Sequence, residues 1–467
     1  GPSFVNPKTG QILGADIMLE WIYITKRIQQ GELFENTALF LEQDNPMDEH
    51  YCSASALMQS NNLFAHNAVD ALELSEASKE TLIRESIRRL VLHEVGHTLG
   101  LNHNFKGSNL LTYEEILNKE TTYEKGLCSS VMEYPSINFS LEAENQGLYY
   151  DTIPGAYDHW AIRFAYAQVD EDGLKAILDE STKHEHGFAN DADDMRGTGK
   201  GMDPDAMIYD LTSDPVLYAI DRIKLVNKIF PSVLDKYLKD GASHQEVLNS
   251  YYTLTGQYAT SLKIISRQIA GVNVNRAMVG QDTEDKPFTP VSLKDQKQAM
   301  TALTTYAFAP NAFETAADLY PYLQRQRRGF STPYGGEDPK IHERVLSIQK
   351  MILGQLLNRN VLNRMVNSSL YGNDYDLGSY FKDLNNAMFK ADKNMNVNSF
   401  RMNLQVEFVN RLIRVSKDSG TSSQIRTQVF RLLNTTLNEM KRSKSLGAST
   451  LAHRAYIAHL IEKHFDK

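Results

Sequence analysis

Hydrophobic and polar positions divide the chain into stretches of different period. After the turn-forming run Asn6-Pro7-Lys8-Thr9-Gly10, Leu13, Ala15, Ile17 and Leu19 alternate with Gly14, Asp16 and Met18. A period of two predicts a half-buried strand over 13–19, with Pro fixing one φ and Gly freeing another in the turn before it. From Leu82 the period lengthens, and Leu82, Ile83, Ile87, Leu90 and Val91 recur at helical spacing. Ser75 and Ser78 are the available caps of that helix. Gly100 is a natural end to it, because a residue without Cβ enters the left-handed region at little cost. Farther on, Ile341, Val345, Ile348 and Ile352 share one helical face, as do Leu404, Phe408, Leu412 and Val415. Stripes of this kind predict amphipathic helices over most of the second half, interrupted at 331–339 by two Pro and two Gly.

Between 185 and 214 the texture changes. Gly187, Gly197, Gly199 and Gly201 are mixed with Asp191, Asp193, Asp194, Asp203, Asp205 and Asp210, which predicts a long loop or domain connection. The expected organisation is therefore a first domain over 1–184, an acidic Gly-rich connection over 185–214, and an α-helical domain over 215–467. No repeat of fixed period and no low-complexity tract is present.

Composition narrows the class. With 42% hydrophobic and 23% charged residues the chain is too apolar to be disordered, and 467 residues suggest two or three domains. No run of about 18 apolar residues is present, so no transmembrane segment is expected. A net charge of −9, from 58 acids against 49 bases, argues against a nucleic-acid partner. Cys52 and Cys128 are too few for a disulfide framework and form no C-x-x-C site. The start Gly1-Pro2-Ser3 lacks an initiator Met and a signal region, so the chain reads as a piece of something longer, with any export signal upstream.

The chemistry concentrates in His93-Glu94-Val95-Gly96-His97-Thr98-Leu99-Gly100-Leu101-Asn102-His103. Residues four apart on a helix share a face, so His93 and His97 can both reach one Zn²⁺. A chain that turns sharply at Gly100 can bring His103 back to the same ion. Three neutral nitrogens leave a fourth position open to water, the catalytic rather than the structural arrangement of zinc. Glu94, beside a ligand, can take a proton from a water acidified by the metal and later return it to a leaving amine.

A second signal, Ser129-Ser130-Val131-Met132-Glu133-Tyr134-Pro135, follows about thirty residues later. Together, H-E-x-x-H-x-x-G-x-x-H and a methionine turn resemble the metzincin clan of zinc endopeptidases. The resemblance implies an α+β, metzincin-like catalytic domain followed by a mostly α-helical C-terminal region. It is closest to large bacterial secreted metzincin-like proteases with a helical C-terminal extension. It implies a polypeptide substrate and an exported protein. Met132 would form the apolar floor under the zinc, with a core methionine as the plainer alternative. Tyr134 resembles the astacin and serralysin tyrosine that helps stabilise the oxyanion, and an ordinary packed tyrosine is the other reading. Residues 6–13 resemble the approach to the edge strand that lines the substrate cleft. Asn104, after the third histidine, matches no astacin, serralysin or matrixin pattern. Only 92 residues precede His93, so either the first strands of the upper subdomain lie upstream of Gly1 or the upper half is built differently.

Other features carry expectations of their own. Cys52 and Cys128 either bridge near the methionine turn or stay buried thiols, and neither has a basic partner to make it a nucleophile. His184-Glu185-His186 with Asp191, Asp193, Asp194, Asp203 and Asp205 suggests Ca²⁺ more than a second Zn²⁺. No EF-hand loop is present, so a solvated loop is expected. His159 is expected to pack, and Arg84, Arg88 and Arg89 to lie on a solvated or domain-facing surface. The function expected is zinc-dependent peptide hydrolysis. Its rivals are a zinc-binding surface or interaction protein with little or no turnover, and a zinc hydrolase of another acyl bond.

Overall fold

The computed structural model describes residues 3–17, 54–193, 197–326, 338–442 and 447–466. It is an α+β protein in which helices dominate, and among the described residues the strands are confined to two short hairpins.

The first hairpin pairs Ser3–Val5 (β1) with Ile12–Ala15 (β2), antiparallel. Its turn follows from the residues: Thr9 N and Gly10 N donate to Asn6 O at 3.2 and 2.8 Å, and Gly10 adopts φ +73°. The strand is shorter than 13–19 and does not follow the expected alternation. Val5 faces Ile12 while Phe4 faces Gly14, so Leu13 is the extra residue of a bulge and is 65% exposed. A bulge moves the inward set by one position, which period counting cannot detect. Met18 and Leu19 lie outside the described residues.

Two long helices follow, Ala54–Ala71 (α1) and Glu76–Thr98 (α2). Phe64, Ala65 and Ala68 of α1 are fully buried at the i, i+1, i+4 spacing of one helical face. Ser75 caps α2, its Oγ accepting from Ser78 N at 3.2 Å. The buried face of α2 runs through Leu82, Glu85, Ser86, Arg89, Leu90, His93 and Gly96. That face is largely polar, and Ile83, counted in the apolar stripe, is half exposed.

The described chain clusters into two units. The first comprises Gly1–Arg196, Asp205–Ser261 and Asn275–Pro287, the second Gly197–Pro204, Leu262–Val274 and Phe288–Lys467. In the first, Leu111, Ile116, Leu127, Cys128, Leu148, Leu211 and Tyr218 form an apolar cluster. Residues 127–140 are buried almost without interruption yet contain neither helix nor strand. Buried backbone must find partners, and side chains supply them. Asp151 accepts from Leu127 N and Cys128 N at 2.6 and 3.2 Å, and Asp158 from Val131 N at 2.8 Å. Arg222, on the helix Pro215–Ile229 (α3), donates to Ile137 O, and its guanidinium stacks on Phe64 at 4.6 Å.

In the second unit, the stripes read from the sequence are core. Val345, Ile348 and Ile352 of Ile341–Leu356 (α4) are buried, as are Leu404, Phe408, Leu412 and Val415 of Ser399–Lys417 (α5). Arg401 on α5 is 1% exposed and paired with the buried Asp392, which also accepts from Gln405 Nε2 at 2.8 Å. Among the described residues no helix is long and apolar enough to cross a membrane.

Candidate metal centre

Helix α2 ends in two capping hydrogen bonds. Gly100 N donates to His97 O at 3.0 Å and Leu101 N to Gly96 O at 3.1 Å, with Gly100 at φ +90°. This is the doubly bonded glycine cap that reverses a helix, and only glycine holds that conformation without strain. Tyr166 adds a third restraint by donating to Leu99 O at 2.9 Å. The reversal carries His103 back toward His93 and His97. Ring centroids lie 4.8 Å apart for His93–His97, 4.9 Å for His97–His103 and 5.5 Å for His93–His103. One ligand atom from each lies within 4.8 Å of the others, the only such group among the described residues.

The partners of the other ring nitrogens test whether this set fits a metal. His93 Nδ1 meets Val131 O at 2.8 Å, His97 Nδ1 meets Leu101 O at 3.1 Å, and His103 Nδ1 meets Asp191 Oδ2 at 2.6 Å. Each Nδ1 is directed to an acceptor, which fixes the tautomer and assigns Nε2 to the cluster. Three neutral imidazole nitrogens held in this way fit Zn²⁺. Glu94 follows the first histidine on α2 and is half-buried. Tyr134, 2% exposed, places its hydroxyl 2.9 Å from His103 Nε2.

Met132 is fully buried against α2. Gly96 lies between the two helical histidines, and a Cβ there would collide with Met132 Sδ. The helix therefore needs a glycine one turn below its end for the methionine to come this close.

Three buried groups fix the methionine turn, and none was given that task from the sequence. Arg89, read there as a surface residue, is 2% exposed. It donates to Val131 O and, at 2.8 Å, to Glu133 O, and its Nε faces Asp151 Oδ2 at 3.7 Å. The correction has a simple cause: Arg89 is one turn before His93 on the same face, so it shares the buried side of α2. Asp158 accepts from Ser130 Oγ at 2.7 Å and from Gly155 N at 2.9 Å. Its signal was an acid three residues into a helix after glycine, a capping pattern. Glu133 accepts from Tyr134 N and Ser108 N at 2.7 and 3.1 Å. Burial, then the nearby Asp210 carboxylate, pushes its carboxyl well above the usual range. Burial likewise raises Asp151 and Asp158.

Asn104 also acquires a task. Its backbone N donates to Met132 O at 3.1 Å, and its Nδ2 to Gly187 O at 2.9 Å. The acidic connection is thus not simply solvated: Asp203 and Asp210 are buried, and Asp191 reaches the histidine cluster. His184 and His186 bond to the carbonyls of Asn109 and Glu180, at 2.9 and 2.8 Å. His159 is exposed rather than packed. Cys128 is a buried thiol raised well above its usual pKa, chiefly by burial, which is inert rather than nucleophilic. Its possible partner Cys52 lies outside the described residues.

A family model described as Met-zincin matches residues 75–396. No curated protein and no solved structure matches the chain.

Proposed function

The chain belongs to the Met-zincin family, and from that premise we propose that it is a zinc-dependent endopeptidase. In this reading His93, His97 and His103 hold the ion through Nε2. When bound, zinc supplies Lewis-acid polarisation of the scissile carbonyl and acidifies the attacking water to a pKa of about 7. Glu94 takes the proton from that water and returns it to the leaving amine as the C–N bond breaks. Tyr134, already within hydrogen-bond reach of the cluster, turns its hydroxyl to the developing oxyanion. Met132 and Gly96 hold the floor beneath the histidines, so the donors are set before substrate arrives. An extended polypeptide adds beside β2 through main-chain hydrogen bonds. Export of the protein is part of the same proposal, in keeping with the metzincin resemblance.

The observation that carries this reading is the joint arrangement of three imidazoles, each with Nδ1 held by an acceptor, with Glu94 on the helix that bears His93 and His97. Hydrolysis of a denatured protein by wild type and by Glu94→Gln tests it. Wild type cleaves internal bonds and the variant loses activity while keeping its zinc. Equal activity in both, with contaminants removed, refutes the role of Glu94. Bound zinc without cleavage across a peptide library instead favours a zinc-binding interaction protein.

A further inference from the structure

The three imidazoles are not held alike. His93 and His97 turn Nδ1 to backbone carbonyls, whereas His103 turns it to a carboxylate 88 residues away, Asp191 Oδ2 at 2.6 Å. His103 lies beyond the end of α2, so no helix holds its ring. Phe105 stacks on it at 5.3 Å and the Tyr134 hydroxyl meets its Nε2, while the Asp191 carboxylate holds Nδ1.

We propose that Asp191 is the positioning residue of the third metal ligand, and that the segment 187–193 exists at the site to deliver it. This rests on the zinc reading above and adds a source of affinity to it. Delivery begins at Asn104, the residue after the ligand. Its Nδ2 donates to Gly187 O, its Oδ1 accepts from Ala189 N at 3.3 Å, and Phe105 N donates to Ala189 O at 2.7 Å. Ala189 is 2% exposed, so the loop is anchored at its inner end. Beyond it, Ala192 N donates to Asn190 Oδ1 at 3.0 Å and Asn190 N to Asp193 Oδ2 at 3.2 Å. This local turn holds Asp191 at its tip. Arg276 pairs with Asp193 on the outer side.

A carboxylate on the far nitrogen of a ligand histidine fixes the ring and makes the ligating nitrogen more basic. The Asn104 side chain and the acidic loop therefore belong to one device: the first ties the loop down, the second holds the imidazole. Substituting such an outer partner typically costs 10–100-fold in metal affinity. Asp191 is 56% exposed, so its replacement is expected to leave folding intact.

Wild type, Asp191→Asn and Asp191→Ala are stripped of metal and titrated with Zn²⁺ against a chromophoric chelator. Their Co²⁺ forms are compared by visible absorption. Both variants are expected to bind Zn²⁺ about 10–100-fold more weakly and to show shifted Co²⁺ bands, with metal-free urea midpoints like wild type. Wild-type affinity and an unchanged Co²⁺ spectrum in both variants overturn the proposal and leave the zinc reading standing. If wild type itself binds no zinc, the zinc reading fails, and this inference with it.

Discussion

Replacing Arg89 by Met removes a buried guanidinium while keeping most of its volume. Three interactions disappear: charged hydrogen bonds to Val131 O and Glu133 O, and the pairing with Asp151. Hydrogen bonds to charged groups contribute about 1.5–3 kcal/mol each. Removing one partner of a buried ion pair costs about 3–5 kcal/mol because the other charge is stranded. These overlap, since the same guanidinium makes all three contacts, so the expected loss is about 3–5 kcal/mol rather than their sum. Against a typical folding stability of about 5–15 kcal/mol, that is a large fraction. The pH dependence follows from Asp151, whose carboxyl burial already raises and Arg89 pulls back down. Without Arg89 it rises further. A carboxyl with a raised folded pKa costs nothing when both states are protonated, and costs more as pH climbs past its unfolded value. The penalty in Arg89→Met is therefore smallest in acid and deepens toward neutrality. Urea titrations from pH 4 to pH 8, followed by circular dichroism, measure it. An unchanged midpoint at pH 7, or a penalty that shrinks as pH rises, refutes the argument that Arg89 holds the methionine turn.

Gly96→Ala should destabilise the fold even though Ala is about 1 kcal/mol better than Gly in a helix interior, because its Cβ meets Met132 Sδ. A net loss of about 1 kcal/mol or more in urea midpoint is expected, and a gain contradicts the close packing. Tyr134→Phe should lower kcat about 10²-fold with KM and bound zinc little changed, the pattern of a lost oxyanion donor; unaltered kcat returns Tyr134 to a packing role. His453 is buried and hydrogen-bonded to Gln405 Oε1 at 2.8 Å, and burial, then Arg454, lowers its pKa to about 4. A depressed histidine stabilises only while neutral. That contribution is complete above about pH 6.5 and is lost as pH falls through about 4. His453→Gln should therefore flatten the acid side of the stability profile, and an unchanged slope argues against it.

The site was legible in the sequence to the extent that it is local. H-E-x-x-H spacing and the glycine reversal act over a single turn and its cap, so the positions of His93, His97 and His103 could be read directly. The groups that fix them act at long range. Asp151 is 62 residues from Arg89, and Asp191 lies 88 residues beyond His103. No periodicity marks either one. Arg89 misled because arginine is usually exposed, whereas here a buried loop without secondary structure needs a multidentate donor for its carbonyls. The bulge at Leu13 hid for a related reason: its cause lies in the pairing with Phe4 and Val5. The amphipathic stripes of α4 and α5 were read without difficulty, because core burial leaves its period on the chain.

The most direct test of the account is anomalous diffraction at the zinc absorption edge from crystals of the metal-replete protein. One strong peak is expected within about 2.0–2.1 Å of Nε2 of His93, His97 and His103, with Glu94 beside it and not bound. A map with no peak there, or with the third imidazole turned away from the ion, contradicts it.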